Sequence, residues 1–399
     1  MTGSAAAGTT PLYMFDPPAP GPEWAPFSGA RPICELRAGI WRIRERWEGL
    51  LQAETAGILA DHVAGWCEFD EPDVTATGVV RGPAVIGASW FAPSGVSPDL
   101  RPGTRRLIHA GASVGWLVAA GEEWSGPHDD GPGVEVEGLP LEGSWDLLAA
   151  LDGFLQADCA DFHDQPRDDI PEGSIVLGDP VEVISLGALV EPGVVFDVRH
   201  GAIILEEGVE VRSGTRLEGP LYAGARSRLM GGFLRASVFG PWSVVRGEVS
   251  SSLFLGYANK SHDGFVGHSV LGTWVNLGAG TTTSNLKNTY GEVSVEVAGH
   301  HLATGRQFLG SLVGDHAKTA IGTLLSTGTV IGAGANLFGP PPVPRYVPPF
   351  AWGHAGSERM SGEGFLKIAQ RVLPRRGMEL TAERRESLEA LHRRLRAAG

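Results

Sequence analysis

The sequence predicts an α/β domain over residues 1–165, a parallel β-helix over residues 170–340, and a proline-rich crossing with a C-terminal α-helix over residues 341–399. Three observations support this fold class. The first part mixes short apolar runs with segments of helical spacing, the second repeats an apolar residue every six positions, and the last has an apolar stripe after Thr381. A chain of 399 residues also exceeds a typical single domain, so more than one domain is expected.

The N-terminal part contains signals for both strands and helices. Residues 11–15 (PLYMF) and 56–61 (AGILAD) are short apolar runs typical of buried strands. Residues 36–51 (LRAGIWRIRERWEGLL) and 145–155 (WDLLAALDGFL) space their apolar side chains as an amphipathic helix does. Residues 160–173 are acidic and contain proline, which is typical of a linker.

The second half carries an internal repeat with a period of six. Three series show it: Leu177, Val183, Leu189 and Val195; Leu205, Val211, Leu217, Ala223 and Leu229; and Val313, Thr319, Leu325, Ile331 and Leu337. A flat strand would give a period of two and a helix a period near 3.6, whereas hexapeptide repeats are typical of a three-sided parallel β-helix. At about 18 residues per coil, residues 174–340 would form roughly seven to nine coils. A β-sandwich with glycine-rich turns, which would show a spacing of 8–12 residues, is less favoured.

The C-terminal helix is predicted over the segment LTAERRESLEALHRRLRAAG. Thr381 is a suitable N-cap, and Leu388, Leu391 and Leu395 form one apolar stripe. We interpret this helix as a packing or trimer-bracing element.

Composition excludes several functional classes. The formal net charge of −14 argues against a protein that binds a nucleic-acid backbone. Cys34, Cys67 and Cys159 are far apart and form no CxxC pair, so neither a disulfide framework nor a zinc site is indicated. The first 16 residues lack the pattern of a signal peptide, and no apolar run approaches the ~18 residues of a membrane span. A cytoplasmic location without membrane partners is therefore expected.

The strongest candidate for chemistry is a histidine and an asparagine in the segment 253–290, LFLGYANKSHDGFVGHSVLGTWVNLGAGTTTSNLKNTY. His262 and Asn285 are 23 residues apart, or one coil plus a few residues, so adjacent coils are expected to bring them near each other. A neutral imidazole can accept a proton from an attacking amine, and an amide can hold a sugar hydroxyl or an acyl carbonyl. On spacing alone, a solvated turn histidine is the commoner outcome.

The same segment resembles a known family. HDGFVGHSVLGTWVNLGAGTTTSN is similar to the acetyltransferase half of the bifunctional enzymes that make UDP-N-acetylglucosamine, and the family's catalytic histidine and substrate-binding asparagine fall on His262 and Asn285. The intervening pairs also match: Val266-Gly267, Leu271-Gly272 and Leu277-Gly278. The resemblance is greatest to an alternative subfamily with a divergent N-terminal half, through PFSGARPICELRAGIWRIRERW, GYANKSHDGF, NLGAGTTTSNLKNTYG, GDHAKTAIGTLLSTGTVIGAGANLFG and VPPFAWG.

This resemblance implies a nucleotidyltransferase-like N-terminal domain and a left-handed β-helix that assembles as a homotrimer. The implied reaction is acetyl-CoA-dependent N-acetylation of an amino-sugar 1-phosphate such as glucosamine 1-phosphate. His262 would be the general base and Asn285 would hold the sugar. Gly278 and Ala279 would lie along the acetyl-CoA groove, and CoA would bind between neighbouring β-helices.

Other polar residues are weaker candidates for binding. Tyr257, Asn259 and Lys260 precede His262 and are candidates for the sugar phosphate, as is Arg246 about one coil earlier. Arg246 is as well explained by a surface ion pair.

Two further lysines are candidates for the CoA phosphates, Lys287 and Lys318. One departure from the family is Phe265, which stands where better-known members have a tyrosine. Its ring cannot donate a hydrogen bond to a developing oxyanion, so either a backbone N–H does so or the acceptor differs.

The N-terminal half lacks the usual signals of nucleotidyl transfer. It has no GxGxR-like loop, and no asparagine precedes Asn259, so the usual metal-binding asparagine is missing. Arg31 and Arg37 are candidates for nucleotide phosphates, with structural ion pairs at least as good an explanation. If this half is active, it would use UTP or dTTP with Mg²⁺; otherwise no metal is expected.

Three alternatives remain beside acetyl transfer. One is a sugar-1-phosphate nucleotidyltransferase that uses the β-helix as a trimerisation or regulatory scaffold. Another is a trimeric scaffold without catalysis, which Phe265 and the divergent N-terminal half favour. The third is a zinc hydratase using histidines among His262, His268, His300, His301 and His316.

Overall fold

A computed structural model describes residues 10–69, 71–340, 342–354, 356 and 358–397. The expectation about a signal peptide falls mostly on residues 1–9, outside the described residues. The chain forms two compact units. The first comprises the residues up to Pro20, Arg31–Leu36 and Trp41–Glu142, and the second comprises Gly21–Ala30, Arg37–Ile40 and the residues from Gly143 onward.

The first unit is built on a seven-stranded mixed sheet. Its strands are β1 (Leu12–Phe15), β2 (Thr55–Leu59), β3 (Val74–Thr75), β4 (Ala84–Ala88), β5 (Arg106–His109), β6 (Ala112–Val118) and β7 (Gly133–Glu135), in the order β7-β5-β6-β4-β1-β2-β3. β1 is parallel to both β2 and β4, whereas β6 is antiparallel to β4 and β5. The strands expected at 11–15 and 56–61 are confirmed as β1 and β2.

Helix α1 is shorter than the sequence pattern predicted. It runs from Ile43 to Leu51, not from residue 36, because Gly39 has a φ of +75° and the Glu45 carboxylate accepts the Arg42 N–H at the helix start. Trp47 anchors α1 to the sheet. Its Nε1 donates to the Ala88 carbonyl at 3.1 Å.

The second unit begins with helix α2 (Asp146–Ala160) and continues as a three-sided parallel β-helix. Face A carries nine strands: Val183–Ser185, Ile203–Leu205, Leu221–Ala223, Val238–Phe239, Leu253–Phe254, Val270–Leu271, Ser311–Val313, Thr329–Ile331 and Tyr346–Val347. Face B carries Leu189–Val190, Glu210–Val211, Asn259–Lys260, Lys318–Thr319, Asn336–Leu337 and Ala351–Trp352. Face C carries Ile175–Leu177, Val195–Asp197, Thr215–Glu218, Phe265–Gly267, Thr282–Thr283 and Leu324–Leu325. The strands Arg228–Arg235 and Val244–Ser250 turn the corner from face B to face C. Eight of the face A strands lie within residues 174–340, so the predicted coil number is confirmed.

Two of the three hexapeptide series identify the core correctly. Val211, Leu217 and Leu229 are fully buried, as is Ile331. In the first series Val183 is buried as predicted, but Leu189 is 68% exposed and the inward position after it is Phe196 rather than Val195. A slip of one residue moves a side chain to the other face of a strand, and the early coils are shifted in this way.

An inserted hairpin interrupts the coil after Asn285. Its strands are Val293–Val297 and His300–Arg306, and they raise the interval between stacked residues from 17, as between Asn259 and Asn276, to 42, as between Asn276 and Lys318. The proline-rich crossing is also partly regular, since Tyr346–Val347 and Ala351–Trp352 extend faces A and B.

Helices α3 (Gly362–Val372) and α4 (Ala382–Ala397) pack on the late coils. Phe365 and Leu391 join Ala333 and Phe350 in one buried cluster. Thr381 caps α4, since its Oγ accepts the Arg384 N–H at 3.3 Å. Within the described residues, no helix combines the length and apolar character needed to cross a membrane.

Candidate functional site

The three corners of the β-helix carry different chemistry. His262 lies at the corner between faces B and C, Tyr257 at the corner between faces A and B, and His268 at the corner between faces C and A. These are called below the B–C, A–B and C–A corners. Residues 17 apart stack directly in this region, so the sequence interval decides which groups meet.

The B–C corner presents His262 to solvent on a backbone held from inside. Lys260 is fully buried, and its Nζ donates to the carbonyl of His262 and, at 3.2 Å, to that of Arg246. Burial lowers the pKa of Lys260 to about 8, with Asp263 opposing this effect. The ammonium therefore clamps the turn below the exposed imidazole. Lys260 was predicted to bind a sugar phosphate, but its side chain points into the coil.

Arg246 lies one coil before this turn and is paired with Asp263. Its Nε is 3.1 Å from the Asp263 carboxylate, and the two side chains are 48% and 82% exposed. An exposed pair of this kind contributes little to stability. The guanidinium is therefore close to His262 in the fold and easily recruited by an anion.

Small and apolar residues occupy the positions stacked above His262 at the B–C corner. Ala279 stacks one coil above it, and the N–H of Gly322 donates to the Ala279 carbonyl at 2.7 Å. Gly278 is needed for close packing, because a Cβ there would lie 2.4 Å from the Ala320 carbonyl carbon. Ile321, above Ala279, is 80% exposed. The corner thus forms a narrow apolar strip that leads away from the imidazole.

Asn285 does not meet His262 within one chain. Its Nδ2 lies 2.8 Å from Nδ1 of His268, which is one 17-residue coil below, so the two side chains share the C–A corner. The interval of 23 between His262 and Asn285 contains this coil plus one further side of six residues. The expected pairing was therefore wrong for a single chain, and the two residues lie at opposite edges of face C.

The sequence analysis considered His268 only as a zinc ligand and did not predict its contact with Asn285. Burial lowers the pKa of its imidazole, and the ring stacks on Phe308 with centroids 5.0 Å apart. A Cβ on Gly267 would lie 2.5 Å from Phe265 Cζ and 2.7 Å from Asn285 Nδ2. Phe265 and Asn285 thus line the outer surface of face C around a glycine that leaves them room.

The A–B corner is an aromatic ladder. Arg226 lies over Trp242, Trp242 stacks on Tyr257, and Tyr257 meets Trp274 with ring centroids 4.5 Å apart. His316 stacks on Trp274 in the next coil. These residues all have positive φ, which places each side chain at the same point of its turn.

A cavity of about 270 Å³ adjoins this ladder and collects several predicted ligand residues. Tyr257, Asn259 and Lys318 line it, although Tyr257 and Asn259 were expected beside His262. Asn276 also lines the cavity and accepts a hydrogen bond of 2.7 Å from the Asn259 amide.

Two arginines of the cavity wall, Arg375 and Arg376, were missed as site residues because the basic C-terminal segment was interpreted as a solvated face. Lys287 lies elsewhere, at the base of the hairpin, where its Nζ donates to the Glu292 carbonyl. A larger cavity, about 500 Å³, lies among the early coils beside Leu189 and Phe196 and contains none of the predicted site residues.

In the first unit, the predicted phosphate ligand is engaged in a structural contact. Arg31 is buried, forms a 2.8 Å ion pair with Glu68 and lies over the Trp66 ring. Asp16, just past the end of β1, accepts the Ile33 N–H at 2.6 Å and lies 3.0 Å from His62 Nε2. Both contacts of Asp16 use Oδ2, whereas its Oδ1 is buried and has no hydrogen-bond partner among the described residues.

The described residues do not form a cluster suited to bind a metal ion. Among the described residues, no group of three or more His, Cys, Asp or Glu side chains could hold a metal ion. His262, His268 and His316 lie at three different corners, and His300 and His301 lie on the hairpin.

Arg37, the other candidate for nucleotide phosphates, lies in the second unit, and its guanidinium donates to the Ile40 carbonyl.

Comparisons with known proteins agree with this architecture. Residues 12–165 match the family model for sugar nucleotidyl transferases. A bifunctional sugar-1-phosphate nucleotidylyltransferase/acetyltransferase of Sulfurisphaera tokodaii is 35% identical over 147 residues, which is 35% of each chain. Parts of the chain are thus similar to sugar nucleotidyl transferases and to this bifunctional relative.

Two proteins named bifunctional protein GlmU are also similar to part of the chain. The one from Methanococcus vannielii is 31% identical and the one from Methanococcus maripaludis 33% identical, each over 93 residues and 22% of each chain. The chain thus spans about a third of the first relative's length and about a fifth of the other two. The family resemblance and the nucleotidyltransferase-like N-terminal domain are confirmed.

Proposed function

We propose that this protein transfers an acetyl group from acetyl-CoA to the amine of an amino-sugar 1-phosphate such as glucosamine 1-phosphate. The observation that supports this most directly is the B–C corner. An exposed imidazole stands on a turn fixed by the buried ammonium of Lys260, with the strip of Ala279 and Ile321 above it. The name of the Sulfurisphaera tokodaii relative includes acetyltransferase activity, which favours the same class of reaction.

The proposed chemistry needs one proton acceptor. The substrate amine attacks the thioester carbonyl, His262 accepts the amine proton, the C–S bond breaks, and the CoA thiolate then takes up a proton. His262 is exposed and therefore reachable by an amine. Phe265 contributes no hydrogen bond, so oxyanion stabilisation falls to a backbone N–H or to an amide such as Asn285.

The placement of Asn285 supports a site shared between chains. In one chain His262 and Asn285 lie at opposite edges of face C, so a neighbouring copy would have to supply Asn285 beside His262. A homotrimer with CoA between adjacent β-helices fits this requirement. Gly278 and Ala279 would then flank the acyl-CoA arm, and Arg246 would be available to a phosphate.

A nucleotidyl transfer activity is the second candidate. It is favoured by the match of residues 12–165 to sugar nucleotidyl transferases and by the parallel strands β1, β2 and β4. The buried ion pair of Arg31 with Glu68 counts against it. A pyrophosphate-release assay with UTP or dTTP, Mg²⁺ and a sugar 1-phosphate tests it separately.

The acetyl-transfer proposal is tested by thiol release from acetyl-CoA. We expect release that depends on glucosamine 1-phosphate, with N-acetylated product identified by mass spectrometry, and none with glucose 1-phosphate, which lacks the amine. Absence of turnover with amino-sugar phosphates would support the scaffold alternative. Equal thiol release with glucose 1-phosphate would show hydrolysis of the thioester rather than N-acetylation.

A further inference from the structure

The cavity at the A–B corner has a cationic wall without acidic partners. Lys318 projects into it from face B, and Arg375 and Arg376 project from the turn that follows α3. In the part of the chain that the structure describes, no carboxylate lies within ion-pair distance of these three side chains. Three unneutralised cations around one cavity make it a favourable place for an anion.

The positive charges of Lys318 and Arg376 are disfavoured by burial and, for Arg376, by neighbouring cations. Burial lowers the pKa of Lys318 to about 8. Burial also lowers the pKa of Arg376, and the nearby charges of Arg228 and Arg375 add to this effect. A bound anion would offset both the lost hydration and the mutual repulsion.

Two residues of the cavity wall, Trp274 and Lys318, have unused hydrogen-bond donors. Trp274 is 2% exposed and lines the cavity, and its Nε1 is a buried donor with no partner among the described residues. A buried donor left unpaired is destabilising, because the donor loses its hydration and gains no replacement. Lys318 makes a single 3.2 Å bond to the His316 carbonyl, which leaves further N–H groups for a ligand. Arg376 is fixed in place by a 3.2 Å bond from its Nε to the Trp242 carbonyl.

We propose that this cavity binds a phosphate monoester, whose phosphate oxygens accept from Lys318, the two arginines and Trp274 Nε1. A phosphate monoester offers close to two negative charges and three acceptor oxygens, which suits these donors better than a carboxylate does. The ring of Tyr257 and the amides of Asn259 and Asn276 supply the rest of the wall. They would face the sugar or nucleoside that carries the phosphate.

This site lies one side of the coil away from His262, so it does not depend on the proposed acetyl transfer. The phosphate could belong to a nucleotide or to a sugar phosphate, and the chemistry of the wall is common to both. Binding can be measured without turnover, which separates the two proposals experimentally.

Isothermal titration calorimetry on the full chain tests the site with inorganic phosphate, adenosine monophosphate and glucosamine 1-phosphate, and with adenosine as an uncharged control. We expect the phosphate-bearing probes to bind and adenosine not to bind. Arg375→Gln should weaken binding at least about tenfold, since a charged hydrogen bond is worth about 1.5–3 kcal/mol. Arg371→Gln is the matched control, because Arg371 is an exposed arginine of α3 outside the cavity wall and should bind as the wild type does.

Trp274→Phe keeps an aromatic side chain but removes the indole N–H together with the five-membered ring, so it should weaken binding of the phosphate probes. A circular dichroism spectrum like that of the wild type is the control that the fold is retained. Tighter binding of the nucleotide or of the sugar phosphate than of inorganic phosphate would support the site and identify the source of the phosphate. Equal binding of all three would support a site that recognises the phosphate group alone. The proposal is overturned if no phosphate-bearing probe binds. It is also overturned if adenosine binds as well as its monophosphate, or if Arg371→Gln weakens binding as much as Arg375→Gln.

Discussion

Replacing Lys260 with methionine tests whether the His262 turn is held by a charged group inside the coil. The chain has four lysines, and the side chain of Lys260 is fully inaccessible to solvent. Burial lowers its pKa from 10.5 to about 8. Each tenfold change in a protonation equilibrium is worth about 1.4 kcal/mol, so this difference corresponds to about 3 kcal/mol.

The sign of the effect follows from which state binds the proton more tightly. Between pH 8 and 10.5 the unfolded chain keeps the proton of Lys260 while the folded chain loses it. The free energy of unfolding should therefore rise through this interval, by up to about 3 kcal/mol from this group. Below pH 8 the ammonium is charged in both states and the burial cost is fully present. Lys260→Met lacks the group, so its stability should not show this rise.

The assay is urea unfolding of wild type and variant at several pH values between about 7 and 10.5, followed by circular dichroism. The wild-type minus variant difference in free energy of unfolding should grow with pH. Lys367→Met is the matched control, because Lys367 on α3 is 61% exposed and paired with Glu363. Its curve should parallel that of the wild type. A Lys260→Met curve that also parallels the wild type would refute the buried-ammonium account of the His262 turn.

Three further predictions concern packing, charge and capping. Gly278→Ala would place a Cβ 2.4 Å from the Ala320 carbonyl carbon and should lower the free energy of unfolding, measured in urea titrations, by about 1–3 kcal/mol. Gly291→Ala is the control, because the nearest atom to its Cβ would lie at 3.8 Å and the free energy of unfolding should change little. Hydrogen bonds from Arg199 lower the pKa of Asp197 to about 2, so the ionised carboxylate stabilises the fold above pH 3.8 and this effect is lost as the pH falls towards 2. In Asp197→Asn the free energy of unfolding should therefore fall less steeply at acid pH. An unchanged slope would count against a stabilising ion pair. Thr381→Ala removes the N-cap of α4 and should cost about 1 kcal/mol in thermal or urea unfolding, and no loss would show that the cap contributes nothing.

The repeat made most of the fold predictable from the sequence. A period of six is specific to a coil with short sides, and inward residues such as Leu217 and Ile331 follow from it directly. The register of the first coils was not predictable in the same way. The predicted inward residue Val195 and the observed one, Phe196, differ by one position, and a slip of one position inverts inside and outside. The predicted helix at residues 36–51 was longer than α1, because apolar spacing alone does not reveal the turn at Gly39.

The candidate site was predictable in its residues but not in its grouping. His262 and Asn285 were recognised by resemblance, yet the pairing of Asn285 with His268 depends on a coil length of 17 rather than about 18. Lys260 could not be placed inside the coil from its type, because a buried lysine is rare. Arg375 joins Lys318 only through the way the C-terminal segment packs, which no local pattern encodes.

The most direct test of the central claim is the rate of acetyl transfer by His262→Ala. With acetyl-CoA and glucosamine 1-phosphate, removal of the general base should lower kcat/KM by at least about 100-fold. His200→Ala provides the matched control, since His200 is an exposed turn histidine elsewhere on the β-helix, and its rate should stay close to that of the wild type. If His262→Ala retains the rate of His200→Ala, the B–C corner is not the site of acetyl transfer.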